Sequence, residues 1–158
     1  MIRNYTEHQN AISDALKEAQ RTGPLMFERI TDSAIAGNLI GKQPADFYVL
    51  SRGHFFYLEA KFSEVSSSLR SVFSGAVKAH QLAAARKSQR AGGSYFIFYY
   101  SSVTKVHEVW DGVYCRRRRS EGKPLEPEKV LIKTEYLDLA LNYVISVLDH
   151  YETRTQHY

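Results

Sequence analysis

The chain has 158 residues, 44% of them hydrophobic, which suits one globular domain with a genuine core rather than two domains or a disordered tail. Its 21 basic and 17 acidic residues leave a formal net charge of +4, and its single cysteine, Cys115, excludes an internal disulfide and a cysteine-based zinc site. No apolar run approaches the roughly 20 residues needed to span a bilayer, and the start, MIRNYTEHQN, lacks an apolar signal core, so a soluble cytoplasmic protein is expected.

In chain order, Ile12, Ala15, Leu16 and Ala19 fall on one helical face and predict a helix over about Tyr5 to Gln20, stopped by Gly23-Pro24. Leu25 to Thr31 reads as a first strand, Asp32 to Gln43 as a loop, and Pro44 to Phe62 as a hairpin of two strands. The serine-rich stretch Ser63 to Ser74 predicts a mobile loop. A second helix is expected over about Gly75 to Ala91, with Ser74 as N-cap and Gly92-Gly93 as its stop. SYFIFYY (Ser94 to Tyr100) and VTKVHEVW (Val103 to Trp110) read as strands joined across Ser101-Ser102. A basic loop over about 115–128 follows, then a last helix over about 134–151 with Leu137, Ala140, Leu141, Val144, Val147, Leu148 and Tyr151 on a broad apolar face.

The hairpin carries three charges in an apolar, aromatic context. Arg52-Gly53 is its only turn signal, and a two-residue turn there sets Ser51 opposite His54 and Asp46 opposite Glu59, with Cβ atoms roughly 4.5–5.5 Å apart. Lys61 shares that face, about 6–7 Å beyond Glu59. Phe47, Val49, Phe56, Leu58, Ala60 and Phe62 fall on the opposite face and are expected in the core. Facing carboxylates repel unless a cation is bound or one takes a proton. Mg²⁺ suits such a donor set, with the Ala60 backbone carbonyl nearby and Mn²⁺ as its substitute. The spacing is equally compatible with a surface ion pair between Asp46 and Lys61 beside a solvated Glu59.

Pro44-Ala45-Asp46 and Glu59-Ala60-Lys61 resemble the two halves of the PD-(D/E)xK nuclease motif. Asp46-Phe47-Tyr48, Arg52-Gly53, Tyr57-Leu58-Glu59-Ala60-Lys61 and His80-Gln81 together resemble the RecU-type Holliday junction resolvases, over about Thr6 to Tyr114. The resemblance implies an α/β, restriction-endonuclease-like core of order αβββαβ, a mixed central sheet flanked by helices, and a single nuclease domain over 1–158. It also implies a homodimer that resolves four-way DNA junctions by metal-dependent phosphodiester hydrolysis, with Asp46 and Glu59 as metal ligands and Lys61 positioning or activating the attacking water. Gln81 would orient the site from its helix, or be an ordinary surface glutamine. Where relatives carry an acid on the first helix this chain has Gln9, which would bind the metal through its amide oxygen or be an ordinary helix residue.

Arg116 to Arg119 with Lys123 form a basic segment suited to phosphate contacts, and Arg70, Lys78, Arg86, Lys87 and Arg90 would extend that surface. The competing readings are a PD-(D/E)xK nuclease acting on duplex, nicked or flap DNA, and a non-catalytic DNA-binding module of the same fold.

Overall fold

The computed structural model describes residues 1–30 and 42–155. Helix α1 (Tyr5–Thr22) begins where the Asn4 side chain accepts the Glu7 N–H, ends at Gly23, and buries His8, Ile12 and Leu16. Strands β1 (Leu25–Arg29), β2 (Phe47–Ser51) and β3 (His54–Ser63) follow. The loop expected over Asp32 to Gln43 lies almost wholly outside the described residues. Arg52 and Gly53 both have positive φ, 50° and 84°, which matches the strand twist in a two-residue hairpin turn. The register is the expected one, with Ser51 opposite His54 and Phe47 opposite Leu58.

The stretch after β3 departs from expectation. Ser63 Oγ accepts the N–H groups of Val65 and Ser66, and Ser68 Oγ accepts that of Arg70, so these serines build a turn and a helix cap. Helix α2 (Leu69–Ala76) occupies the segment read as a loop, with Leu69 and Phe73 buried one turn apart. The single helix expected over 75–91 is in fact α2, an extended Val77, and α3 (Ala79–Arg90). Val77 is 1% exposed, so burying this residue in the core accompanies the break.

Strand β4 (Ser94–Ser101) is parallel to β3, and all other neighbouring strands are antiparallel, giving one mixed sheet in the order β1 to β6. The αβββαβ order is present, with the helical step before β4 split in two. Strand β5 (Val106–Asp111) starts later than expected because Ser102 to Lys105 form the turn.

The basic segment read as a loop is helix α4 (Gly112–Ser120), started by Asp111, whose Oδ1 accepts the N–H groups of Val113 and Tyr114. Arginine is a good helix former, so a strong cap suffices to wind the run. A short strand, β6 (Ile132–Thr134), was not anticipated, and the last helix, α5 (Leu137–Thr155), starts after it.

The sheet is covered on both faces. Ile12 and Leu16 of α1 and Ala140, Leu141, Val144 and Leu148 of α5 pack over Phe47, Val49, Phe56, Leu58, Ala60, Phe96 and Phe98. On the other face, α2, α3 and α4 cover Tyr95, Ile97, Tyr99 and Trp110. The buried faces of the first and last helices are thus packed against the sheet. Among the described residues no helix is long and apolar enough to cross a membrane.

Candidate active site

Asp46 immediately precedes β2 and is fixed at both ends. Its backbone carbonyl accepts the Ile30 N–H at 2.8 Å, while its Oδ2 accepts the Ala60 N–H at 2.8 Å. The carboxylate thus continues the β2–β3 pairing one step past the last backbone rung. From α1, the Tyr5 hydroxyl donates to Oδ1 at 2.8 Å and Oδ2 at 3.0 Å, and Gln9 Nε2 donates to Oδ1 at 2.7 Å. Although Tyr5 is 39% exposed, its hydroxyl turns inward. Burial, then the charges of Asp46 and Glu59, push its phenol well above the ordinary tyrosine range, so it stays protonated and donates.

Glu59 lies on β3 and is 3% exposed. Lys61 Nζ stands 2.8 Å from its Oε1, and Gln81 Nε2 donates to the same oxygen. Burial, then the negative charge of Asp46, push the Glu59 carboxyl up to about 7 against the opposing pull of Lys61 and Gln81. The reading of Glu59 as a solvated side chain beside an Asp46–Lys61 surface pair is therefore overturned. Lys61 pairs with Glu59, and both side chains are largely buried.

Gln81 is at the first turn of α3, where its Oε1 accepts the Lys78 N–H at 2.9 Å and its amide nitrogen faces Glu59. One side chain thereby caps the helix and orients the carboxylate. Gln9 also differs from the metal-ligand reading. Its Oε1 accepts from Arg29 Nη2 at 2.9 Å, which leaves the amide nitrogen on Asp46.

Asp46, Glu59 and Lys61 open into a cleft of about 810 Å³. Arg29, Lys42 and Lys78 line it with His80, so two carboxylates stand inside a rim made cationic by the arginine and the two lysines. Burial and then the charges of Lys42, Lys61 and Lys78 lower the His80 pKa. Tyr5, Arg29 and Lys42 escaped the sequence reading. A tyrosine four residues before Gln9 was the one available signal, because i and i+4 share a helical face.

The basic run is divided by its helix. Arg119 Nη2 donates to the carbonyls of Phe73 at 3.0 Å and Val77 at 2.9 Å, with the guanidinium 4.7 Å from the Phe73 ring centroid. Arg118 Nε donates to the Pro124 carbonyl at 2.7 Å, and Arg70 Nε to that of Leu125 at 2.7 Å. Arg117 lies over Tyr114 at 5.6 Å and is exposed, while Lys123 pairs with Glu121 at 3.3 Å. Only Lys78 among the expected DNA-contacting residues lines the cleft itself.

A scan against protein-family models matches none, and a search of the curated proteins returns no significant relative. Among solved structures, the chain is similar to Hjc, a Holliday junction resolvase of the archaeal hyperthermophile Archaeoglobus fulgidus. The similarity covers 85% of this chain and 98% of that one, at 12% identity and a TM-score of 0.45.

Proposed function

We propose that the protein is a metal-dependent DNA endonuclease that resolves Holliday junctions as a homodimer. One observation carries the nuclease reading: two carboxylates and a lysine converge where β2 begins beside β3, in a cleft whose rim is cationic. The junction substrate rests on the sequence resemblance of the hairpin and the His80-Gln81 pair to RecU-type enzymes.

The residues fit a hard divalent cation. Asp46 and Glu59 supply oxygen donors only, and a cation between them would relieve both the burial of the Glu59 charge and its repulsion by Asp46, which together raise the Glu59 pKa. Among the described residues no third His, Cys, Asp or Glu joins them, so the Ala60 carbonyl would complete the protein's share. A bound Mg²⁺, or Mn²⁺ in its place, would neutralise charge on the phosphate and act as a Lewis acid.

The chain's own groups do the rest. Lys61 Nζ places a positive charge beside the scissile phosphate and positions the attacking water. Gln81 keeps Glu59 facing the cleft. Lys42 and Lys78 receive flanking phosphates, and the exposed Arg117 with Arg116 and Lys123 extend the contact along the duplex arms.

The test is cleavage of a synthetic four-way junction in Mg²⁺ beside matched duplex, nicked and flap substrates. Paired symmetric cuts confined to the junction are expected. Preferred cutting of duplex or flap would move the substrate assignment, and binding without cleavage would make the chain a DNA-binding module.

A further inference from the structure

We infer that Tyr5, Gln9 and Arg29 are positioning residues, a hydrogen-bonded chain from α1 and β1 that holds Asp46 in its cation-binding orientation. The inference deepens the nuclease reading and rests on it. It gives Gln9 a different task from the ligand role suggested by its place in the sequence.

A carboxylate has about four lone-pair positions. On Asp46 three are met, by the Ala60 N–H, the Gln9 amide nitrogen and the single proton of the Tyr5 hydroxyl, which stands 2.8 and 3.0 Å from the two oxygens, so one is left for a cation. The ladder's last rung thus fixes one side of the carboxylate and the first helix the other. Gln9 Nε2 also donates to the Tyr5 oxygen at 3.0 Å, so the phenol's only proton is directed to Asp46.

Arg29 sets the polarity of this chain. Its Nη2 donates to Gln9 Oε1 at 2.9 Å and its Nη1 to Asn10 Oδ1 at 3.0 Å. A guanidinium has no acceptor, so the Gln9 oxygen must face it and the amide nitrogen must face Asp46. A ligand role through the amide oxygen would need the opposite orientation, with two donors left against each other. Partners that orient a metal ligand without touching the metal typically change affinity by about 10–100-fold.

The test measures Mn²⁺ binding to the free protein by electron paramagnetic resonance, with thermal melting and junction binding in EDTA alongside. Tyr5→Phe and Gln9→Leu are each expected to weaken Mn²⁺ binding about tenfold. Melting and junction binding should stay as in the wild type, and the loss of cleavage should be restored by raising the cation concentration. Arg29→Met should produce a smaller loss in the same direction. Unchanged or tighter Mn²⁺ binding in both Tyr5→Phe and Gln9→Leu overturns the inference. Asp46→Asn separates the two levels of argument. If it loses Mn²⁺ binding while the α1 variants keep theirs, only the positioning role fails; if it binds Mn²⁺ as the wild type does, the nuclease centre fails with it.

Discussion

Glu59 and Lys61, two residues apart on one face of β3, form a 2.8 Å ion pair with side chains only 4% and 14% exposed. The pair does not bring Glu59 down to an ordinary carboxylate, because burial and Asp46 hold its pKa up to about 7. Below that pH the folded chain keeps a proton that the unfolded chain loses near 4.5. This group therefore lowers folding stability as pH rises from about 4.5 through 7. A cation favours the ionised form, so cation affinity should rise with pH through about 7, with proton release on binding. Titration calorimetry at pH 6.5 in buffers of different ionisation enthalpy reads that release directly. Glu59→Gln should abolish it, and absence of release in the wild type would remove Glu59 from the ligand set.

His8 and His107 act in the opposite sense. Their ring centroids lie 5.7 Å apart in the core, each Nδ1 is buried without a hydrogen-bond partner among the described residues, and burial pushes both down to about 4. Unfolded histidine takes a proton near 6.5, so the stability these rings confer by staying neutral is lost as pH falls from about 6.5 towards 4. Urea midpoints across that range should fall steeply in the wild type. His107→Phe, which keeps a ring against Tyr100, should flatten the decline; an identical decline would assign the acid sensitivity elsewhere.

The four arginines of α4 should not behave alike. Arg116→Ala with Arg117→Ala should weaken DNA binding across sequences and flatten the dependence of log affinity on log salt. Arg119→Ala should instead destabilise the fold by about 1–3 kcal/mol, because it strips the Phe73 and Val77 carbonyls of a charged donor. Chemical denaturation of the two variants checks the split. Equal stability of Arg119→Ala and the wild type would return Arg119 to the surface.

The difference between these arginines shows where sequence reading ends. The hairpin's register was legible to the residue, since the Arg52-Gly53 turn fixes strand pairing, and alternation placed Phe47, Val49, Phe56, Leu58 and Ala60 in the core, whereas Phe62, near the end of β3, is only half-buried. Asp46, Glu59 and Lys61 followed from that local geometry. The serines after β3 were misread because serine serves turns and helix caps alike; which one depends on Glu108, forty residues from Ser68, whose Oε2 receives the Ser68 hydroxyl and the Leu69 N–H. Arg119 was misread for the same reason, as its partners lie in α2 and at Val77 just beyond it. Tyr5 and Arg29 reach Asp46 and Gln9 only through tertiary packing of α1 and β1. Strand β6 has three residues, too few to carry a period.

If the protein works as a C2 dimer, its mass in solution should be about twice the 18.1 kDa of one chain. Heterodimers of wild-type and Asp46→Asn chains should nick a junction on one strand and leave the symmetric partner strand intact. A monomer that makes both cuts would refute the dimeric scheme.

The central claim is that Asp46, with Glu59 and Lys61, forms a cation-dependent cleaving centre rather than a polar patch on a binding module. Its most direct test compares wild type and Asp46→Asn on a labelled four-way junction, with Mg²⁺ or with EDTA, while junction binding is followed in parallel. The account predicts cleavage by the wild type in Mg²⁺ alone, and a loss of at least about 10²-fold in Asp46→Asn with binding retained. Equal cleavage by Asp46→Asn in Mg²⁺, or wild-type cleavage undiminished by EDTA, would contradict it.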